Sequence, residues 1–245
     1  MSDAIFDDPR LAALYDPLDP DRSDLDVYVV MVDEFAATEV LDVGCGTGTF
    51  ACMLAQRGIQ VTAVDPAAAS LDVAHNKPGA DRVRWICGDA TTLPPLQVDA
   101  AFMTANVAQV FLTDEAWVAT LRGIHAAVRP GGRLVFETRD PAVEAWRRWT
   151  RDATFVRVDL PGLGVIETWN DILEASGQLV TFRDTTVFTS DGTVIESDST
   201  LRFRGRSEIE QSLVESGWRV DEVRDAPDRP GRELVFIASR VAPPA

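Results

Sequence analysis

Residues 40–48 read Val40-Leu41-Asp42-Val43-Gly44-Cys45-Gly46-Thr47-Gly48, and the fold class follows from them. A short apolar strand, Glu39 to Val43, runs into glycines at alternate positions, and a helical run from Thr49 to Arg57 follows. Glycine has no Cβ, so such a loop turns tightly and lets a ligand approach the backbone. A loop that leaves a strand and enters a helix is where an open α/β sheet binds its ligand. The dinucleotide pattern GxGxxG seats a pyrophosphate on the helix N-terminus. Here the pattern is GxGxG, with Asp42 two positions before the first glycine. A carboxylate beside the loop disfavours phosphates and suits a ligand carrying a cationic amine.

Outward from this loop, strand and helix alternate. Gly58 stands where a helix C-cap would, Ile59 to Val64 is a second strand, and Pro66 suits the first turn of a helix from Ala67 to about His75. Val83 to Cys87 and Val98 to Thr104 are the next strands. Thr113 can cap a helix to about Val128, which Pro130-Gly131-Gly132 ends, and Arg133 to Thr138 is the fifth strand. This alternation implies an α/β, doubly wound, mostly parallel sheet with helices on both faces. The rhythm then changes. Asp140-Pro141 opens a helix to about Thr150, and Thr154 to Val158, Val165 to Leu173, Leu179 to Phe188 and Val194 to Phe203 alternate as half-exposed antiparallel strands do. Ser190-Asp191-Gly192 is the hairpin turn between the last two. Ser207 with Glu210 forms a capping box opening a helix to about Ser216. Trp218 to Val223 and Glu233 to Ala238 resume the sheet as a hairpin. Residues 1–245 thus divide into an N-terminal helical segment (1–36), a ligand-binding core (37–140), an antiparallel β lobe inserted after strand five (151–205), and a C-terminal helix with a strand hairpin (206–245).

Composition narrows the function. With 23 Lys and Arg against 39 Asp and Glu, the net charge is −16, and nucleic-acid binding, which needs a basic surface, is disfavoured. No apolar run reaches the roughly 18 to 20 residues of a membrane span. The acidic start MSDAIFDDPR lacks the basic and apolar regions of a signal peptide, so a cytoplasmic protein without a membrane partner is expected, as a monomer or homodimer. Cys45, Cys52 and Cys87 form no CxxC pair, and with only His75 and His125 beside them no metal site is expected. His125, in mid-helix, reads as a packing residue.

Asp65 closes the second strand, 17 residues after Gly48, where a carboxylate can accept hydrogen bonds from both hydroxyls of a ribose. Asp89, in Cys87-Gly88-Asp89-Ala90, can accept from an adenine 6-amino group while the Ala90 N–H serves a ring nitrogen. S-adenosylmethionine (SAM) brings an adenosine, an α-amino group and a sulfonium, and no phosphate. In order and spacing, the acidic glycine loop, Asp65, the Gly-Asp-Ala segment and the Arg-Pro-Gly-Gly turn resemble the class I SAM-dependent methyltransferases. The resemblance implies a seven-stranded sheet with a reversed last strand, in agreement with the terminal hairpin, and SAM as cofactor. It places Asp42, Gly44, Cys45, Gly46, Gly48, Asp65, Pro66, Asp89, Ala90 and Asn106 around that cofactor. Tyr15-Asp16 and Arg22 resemble the segment that lids SAM in sugar N-methyltransferases, which implies Tyr15 packed over the cofactor and Arg22 paired with its carboxylate. The β lobe looks like that of small-molecule N-methyltransferases, including those acting on amino sugars.

The methyl acceptor is expected at the ends of strands four and five. Base-directed N-methyltransferases carry Asn/Asp-Pro-Pro-Tyr/Phe after strand four; this chain has Thr104-Ala105-Asn106-Val107 instead, which counts against nucleobases. Asn106 and Gln109 are candidates to face the pocket. After strand five, Arg139 is placed to meet an anionic group and Glu137 a cationic one or to act as base, while Asp140 reads as a helix N-cap. Trp146, Trp149 and Trp169 are candidates for an apolar wall. The expected function is methyl transfer from SAM to a small-molecule acceptor through nitrogen or oxygen. Methylation of a protein or RNA, and SAM binding without catalysis, are the alternatives.

Overall fold

The computed structural model describes residues 3–241, so the outermost residues of the first and last segments lie outside it. Strands β1 (Glu39–Val43), β2 (Gln60–Asp65), β3 (Val83–Cys87), β4 (Val98–Met103) and β5 (Val128–Arg139) pair in parallel. Every residue of β4 and all but the first of β1 and β2 are buried. Strands buried so continuously must be covered on both faces. The helices Asp26–Glu34 and Thr49–Gln56 cover one face, with Tyr28, Met31, Phe50 and Leu54 on Val40, Ala63 and Phe102. The helices Asp114–Ala127 and Arg206–Glu215 cover the other, with Trp117, Leu121, Ile124 and Leu213 on Leu41, Met103 and Phe136. Val40 and Leu41 thus face opposite layers, as the two-residue period of a strand requires.

The lobe follows β5. Its strands β6 (Val156–Leu160), β7 (Gly164–Ser176), β8 (Leu179–Phe188) and β9 (Thr193–Arg202) form a separate antiparallel sheet in chain order. At its last hairpin Gly192 is left-handed, φ +73°, and Asp191 accepts the Thr193 N–H at 2.9 Å. Strands β10 (Trp218–Asp225) and β11 (Glu233–Arg240) complete the main sheet, in the order β10-β11-β5-β4-β1-β2-β3. β11 is antiparallel to both neighbours, so it is the reversed strand.

Several local expectations need correction. The segment after Asp140 is two 3-10 turns, Pro141–Val143 and Ala145–Arg148, and a short helix Arg151–Thr154, not one helix. Glu144, left-handed at φ +48°, breaks it, and Trp146 and Trp149 are drawn onto Phe203 and Phe182 of the lobe. The Ser207–Glu210 capping box does not form. The helix is capped two residues earlier, on Gly205, and Arg206 takes Glu210 at 2.8 Å. Pro66 lies outside the helix Ala68–Ala74, because Ala67 N–H is held by Asp65 at 2.8 Å. Arg129 to Gly132 bulge within β5, shifting its register against β4. The N-terminal segment holds three four-residue helices, Ala4–Asp7, Pro9–Ala12 and Tyr15–Leu18, before Asp26–Glu34.

A Cβ on Gly123, in the helix Asp114–Ala127, would overlap the Ala90 carbonyl, so this helix lies against the loop after β3. Gly123→Ala is expected to cost about 1 to 3 kcal/mol by overpacking. Denaturant unfolding would read it as a lower midpoint at unchanged slope.

Candidate functional site

Strand order reverses between β1 and β4, and the glycine loop sits at that crevice. Gly44, Gly46 and Gly48 are all left-handed, at φ +71°, +52° and +77°. A Cβ on Gly44 would lie 2.6 Å from the Val107 side chain, and one on Gly48 would lie 2.8 Å from Ala74 and meet the Trp85 ring. Gly46 differs: nothing lies within 4 Å of its missing Cβ. Two of the glycines serve packing, and the third borders open space.

Acids frame that space. Asp65 Oδ2 accepts the Gly46 N–H and Oδ1 the Ala67 N–H, each at 2.8 Å, so one carboxylate ties the end of β2 to the loop. Burial raises its pKa, and these two donors pull it back. Asp42 is 1% exposed and its Oδ1 has no partner. Burial first, and then the nearby Asp65, push its carboxyl up to about 7. Cys45 is half-buried, and burial holds its thiol well above the usual range. Pro66 is an exposed bend. Asp89 is exposed and closes its own turn, taking the Thr91 N–H at 2.8 Å and O–H at 2.6 Å; Ala90 beside it is buried.

The N-terminal segment lies over the loop. Asp16 accepts from the Thr47 and Thr49 hydroxyls at 2.9 and 3.1 Å, and its other oxygen pairs with Lys77 at 2.7 Å. Tyr15 sits beside this clasp, its phenol raised by burial and drawn back by Arg22. Arg22 forks onto Asp24 at 3.2 and 3.3 Å. A hollow of about 320 Å³ lined by Asp16, Arg22, Thr49 and Lys77 opens alongside.

Past the glycine loop the chain turns through Ala105 and Asn106, both left-handed at φ +55° and +62°. Strain of this kind, of order 1 to 3 kcal/mol per residue, gathers at functional sites. It aims Asn106 Nδ2 at Glu233 Oε1, 3.2 Å away. Glu137, buried, accepts the Tyr28 O–H. Burial, opposed by the Tyr28 hydrogen bond and reinforced by Glu233, raises the Glu137 carboxyl. Burial and Glu137 raise the Tyr28 phenol, which therefore keeps its proton. Arg139 donates to Gln109 Oε1 at 2.8 Å, lies 3.8 Å from Glu233 Oε1, and sits 5.4 Å over the Trp149 ring. Asp140 caps Ala142 at 2.9 Å.

Trp146 and Trp149 stand in the seam between core and lobe, against Phe203 at 4.4 Å and Phe182 at 4.8 Å. Trp169 packs elsewhere, on Phe155 and under Arg151. His125 packs on Trp218 at 5.3 Å. Sequence reasoning missed Tyr28, Arg229 and Glu233. An acid opening the apolar run LVFIA was a visible signal for Glu233, but only the register that sets it opposite Arg139 gives it meaning. Among the described residues, no group of three His, Cys, Asp or Glu could hold a metal, and no helix is long and apolar enough to cross a membrane.

Residues 40–132 match the family model described as a methyltransferase domain. The biotin biosynthesis bifunctional protein BioHC of Cellvibrio japonicus is 34% identical over 128 residues, 50% of this chain and 24% of that protein. The cypemycin N-terminal methyltransferase of a Streptomyces species is 36% identical over 104 residues, 42% of each chain. The chain thus spans a quarter to less than half of these relatives. The sugar N-methyltransferase KedS8 from a Streptoalloteichus species shares the fold with a TM-score of 0.73 at 16% identity, covering 90% of this chain and 88% of that one. A SAM-dependent methyltransferase from Clostridium acetobutylicum does so with a TM-score of 0.72, covering 95% and 98%.

Gly46→Val should keep the fold, since its side chain has room, at about 1 to 2 kcal/mol for the left-handed backbone. It should abolish ligand binding at the loop. Circular dichroism and calorimetry together check this, and normal binding by the variant removes the loop from the site.

Proposed function

We propose, from the premise that residues 40–132 are a methyltransferase domain, that the chain transfers the methyl group of SAM to a small-molecule acceptor, releasing S-adenosylhomocysteine. The observation that carries this reading is Asp42 Oδ1, buried without a partner under a glycine loop whose middle residue borders open space. A buried carboxylate oxygen of this kind fits an ammonium and repels a phosphate. In this reading Gly44, Cys45, Gly46 and Gly48 present backbone to the cofactor. Asp65 keeps a free lone pair on each oxygen for the ribose hydroxyls, and Asp89 with Ala90 meets the adenine near Pro66. Tyr15 covers the cofactor, and Arg22 shares its fork between Asp24 and the cofactor carboxylate.

Bound SAM supplies an electrophilic methyl on a sulfonium sulfur. The chain's task is to hold the acceptor atom about 3 Å from that carbon and to exclude water. The acceptor's lone pair forms the new bond as the carbon–sulfur bond breaks, its electron pair passing to sulfur, and the acceptor gives up a proton. Glu137 is the group suited to take that proton, because burial raises its basicity and Tyr28 fixes its position. Arg139 and Asn106 position the acceptor. Nitrogen and oxygen acceptors both fit this scheme. The inward-turned Arg139, with 23% of its side chain exposed, and Trp149 against the lobe support an acceptor site under that lobe.

Two outcomes test this reading. Ligand-free Asp42 titrates near 7, and a bound ammonium favours its carboxylate, so its pKa falls on binding. SAM affinity should therefore be near full at pH 8, halved near pH 7, and about tenfold weaker at pH 6 than at pH 8. Asp42→Asn should flatten that profile; calorimetry across the range decides. Arg139→Ala should cut acceptor turnover at least about tenfold, about 1.4 kcal/mol, with SAM affinity nearly unchanged. Steady-state kinetics beside calorimetry separates the two.

A further inference from the structure

The glycine loop leaves the C-terminal end of β1, and a hollow of about 540 Å³ opens at the opposite end, where β1, β2 and β4 begin. It exists because a helix is missing. Parallel strands are usually joined through a helix packed on the sheet. Between β3 and β4 the chain runs from Gly88 to Gln97 through Pro94-Pro95 and forms no helix. The face of β2 and β3 turned away from the helix Thr49–Gln56 is therefore partly open. Thr62 and Arg84 are register partners on that face, since Val61 and Val83 pack on the other. Arg82, in the turn Ala80–Arg82, lines the same hollow as Arg84. Both arginines are exposed, and among the described residues neither has an ion-pair partner. Other arginines at this end are already paired: Arg57, next to Gly58, takes Asp33 at 2.7 Å, and Arg129 takes Asp99, next to Val98, at 2.6 Å.

We propose that this hollow is a second binding site, and that it takes a small organic dianion held by Arg82 and Arg84. A guanidinium forks onto a carboxylate or a phosphate, and two of them over one hollow ask for two negative charges. A monoanion leaves one guanidinium unmatched. The volume lies within the roughly 300 to 1,000 Å³ of small-molecule pockets. Glu39, in the same lining, stands on β1, two strand spacings or roughly 10 Å from β3. That carboxylate, in a chain of net charge −16, opposes any polyanion long enough to run past the arginines, such as a nucleic acid. A phosphate monoester and a dicarboxylate share the required chemistry. The site is separate from the residues assigned to SAM and needs no part of the methyltransferase reading.

The test is calorimetry at low ionic strength and about pH 8, where a phosphate monoester is a full dianion. The probes are glucose 6-phosphate, glucarate and gluconate, which carry similar hydroxyls and differ in charge. At least one of the two dianions should bind about tenfold or more tighter than the monoanion gluconate. The tighter dianion tells a phosphate monoester from a dicarboxylate. Arg82→Gln and Arg84→Gln, both at exposed positions, should each bring that dianion down to the level of gluconate. The circular dichroism spectrum and the affinity for S-adenosylhomocysteine should stay unchanged in both. Gluconate binding as tightly as the dianions, no binding of either dianion, or a preference that survives both variants overturns the inference. Displacement of the dianion by S-adenosylhomocysteine also overturns it, because the dianion would then sit at the glycine loop. Failure to bind S-adenosylhomocysteine at all overturns the methyltransferase reading and leaves the dianion result standing.

Discussion

Asp42 is a carboxylate buried under a loop of glycines, with one oxygen unmatched. Holding it charged opposes folding. Its folded pKa near 7 lies about three units above the usual carboxylate value, equivalent to about 4 kcal/mol once pH exceeds 7. The sign follows from proton uptake: the folded chain binds the extra proton, so this group's penalty shrinks as pH falls from 7 toward 4. The surrounding structure maintains that unfavourable charge. β1 is buried on both faces, Gly44 is pinned by Val107 and Gly48 by Trp85, and Asp65 ties the middle of the loop to β2. A loop so fixed presents its backbone without reorganising, and the cost of assembling the site is met when the protein folds.

What the sequence revealed, and what it hid, divides along the range of the interactions. β1, β3 and β8 are where the pattern puts them, since apolar period and turn residues are local signals. The Ser207–Glu210 box and the helix after Asp140 fail because tertiary partners outbid local preference. Arg206 takes Glu210, and the lobe's aromatic residues draw in Trp146 and Trp149. Of the acidic groups, Asp42 and Asp65 were legible because they keep a fixed offset from the glycines. Glu233 was not, because its partners Asn106 and Arg139 lie 127 and 94 residues earlier in the chain, and nothing local records the pairing.

The two sides of the cleft are built differently. The glycine-loop side rests on backbone: N–H groups, left-handed glycines and carboxylates that hold them. The far side rests on side chains, with Tyr28 on Glu137, Arg139 on Gln109 and Trp149, and Asn106 on Glu233. Backbone N–H groups stay the same whatever the surrounding side chains, so long as the left-handed glycines are kept, and they suit one invariant ligand. A network of side chains can be rewritten residue by residue, and the lobe that walls it can change without disturbing the sheet. A division of this kind lets one core serve acceptors of different shape.

The clasp from Asp16 to Thr47, Thr49 and Lys77 has a consequence for how the chain comes to be folded. The same N-terminal segment packs Leu11 and Leu14 on Leu160, Ile166 and Phe188, and the Ile5 N–H reaches Ser197 at 2.8 Å across 192 residues. Such contacts close long loops, and their closure entropy is repaid only after the lobe strands they meet have formed. During synthesis this segment emerges before the lobe strands it packs on, and its contact with Ser197 waits until β9 has been made. The cover over the glycine loop is therefore anchored twice, to the core it lies on and to the lobe made long after it.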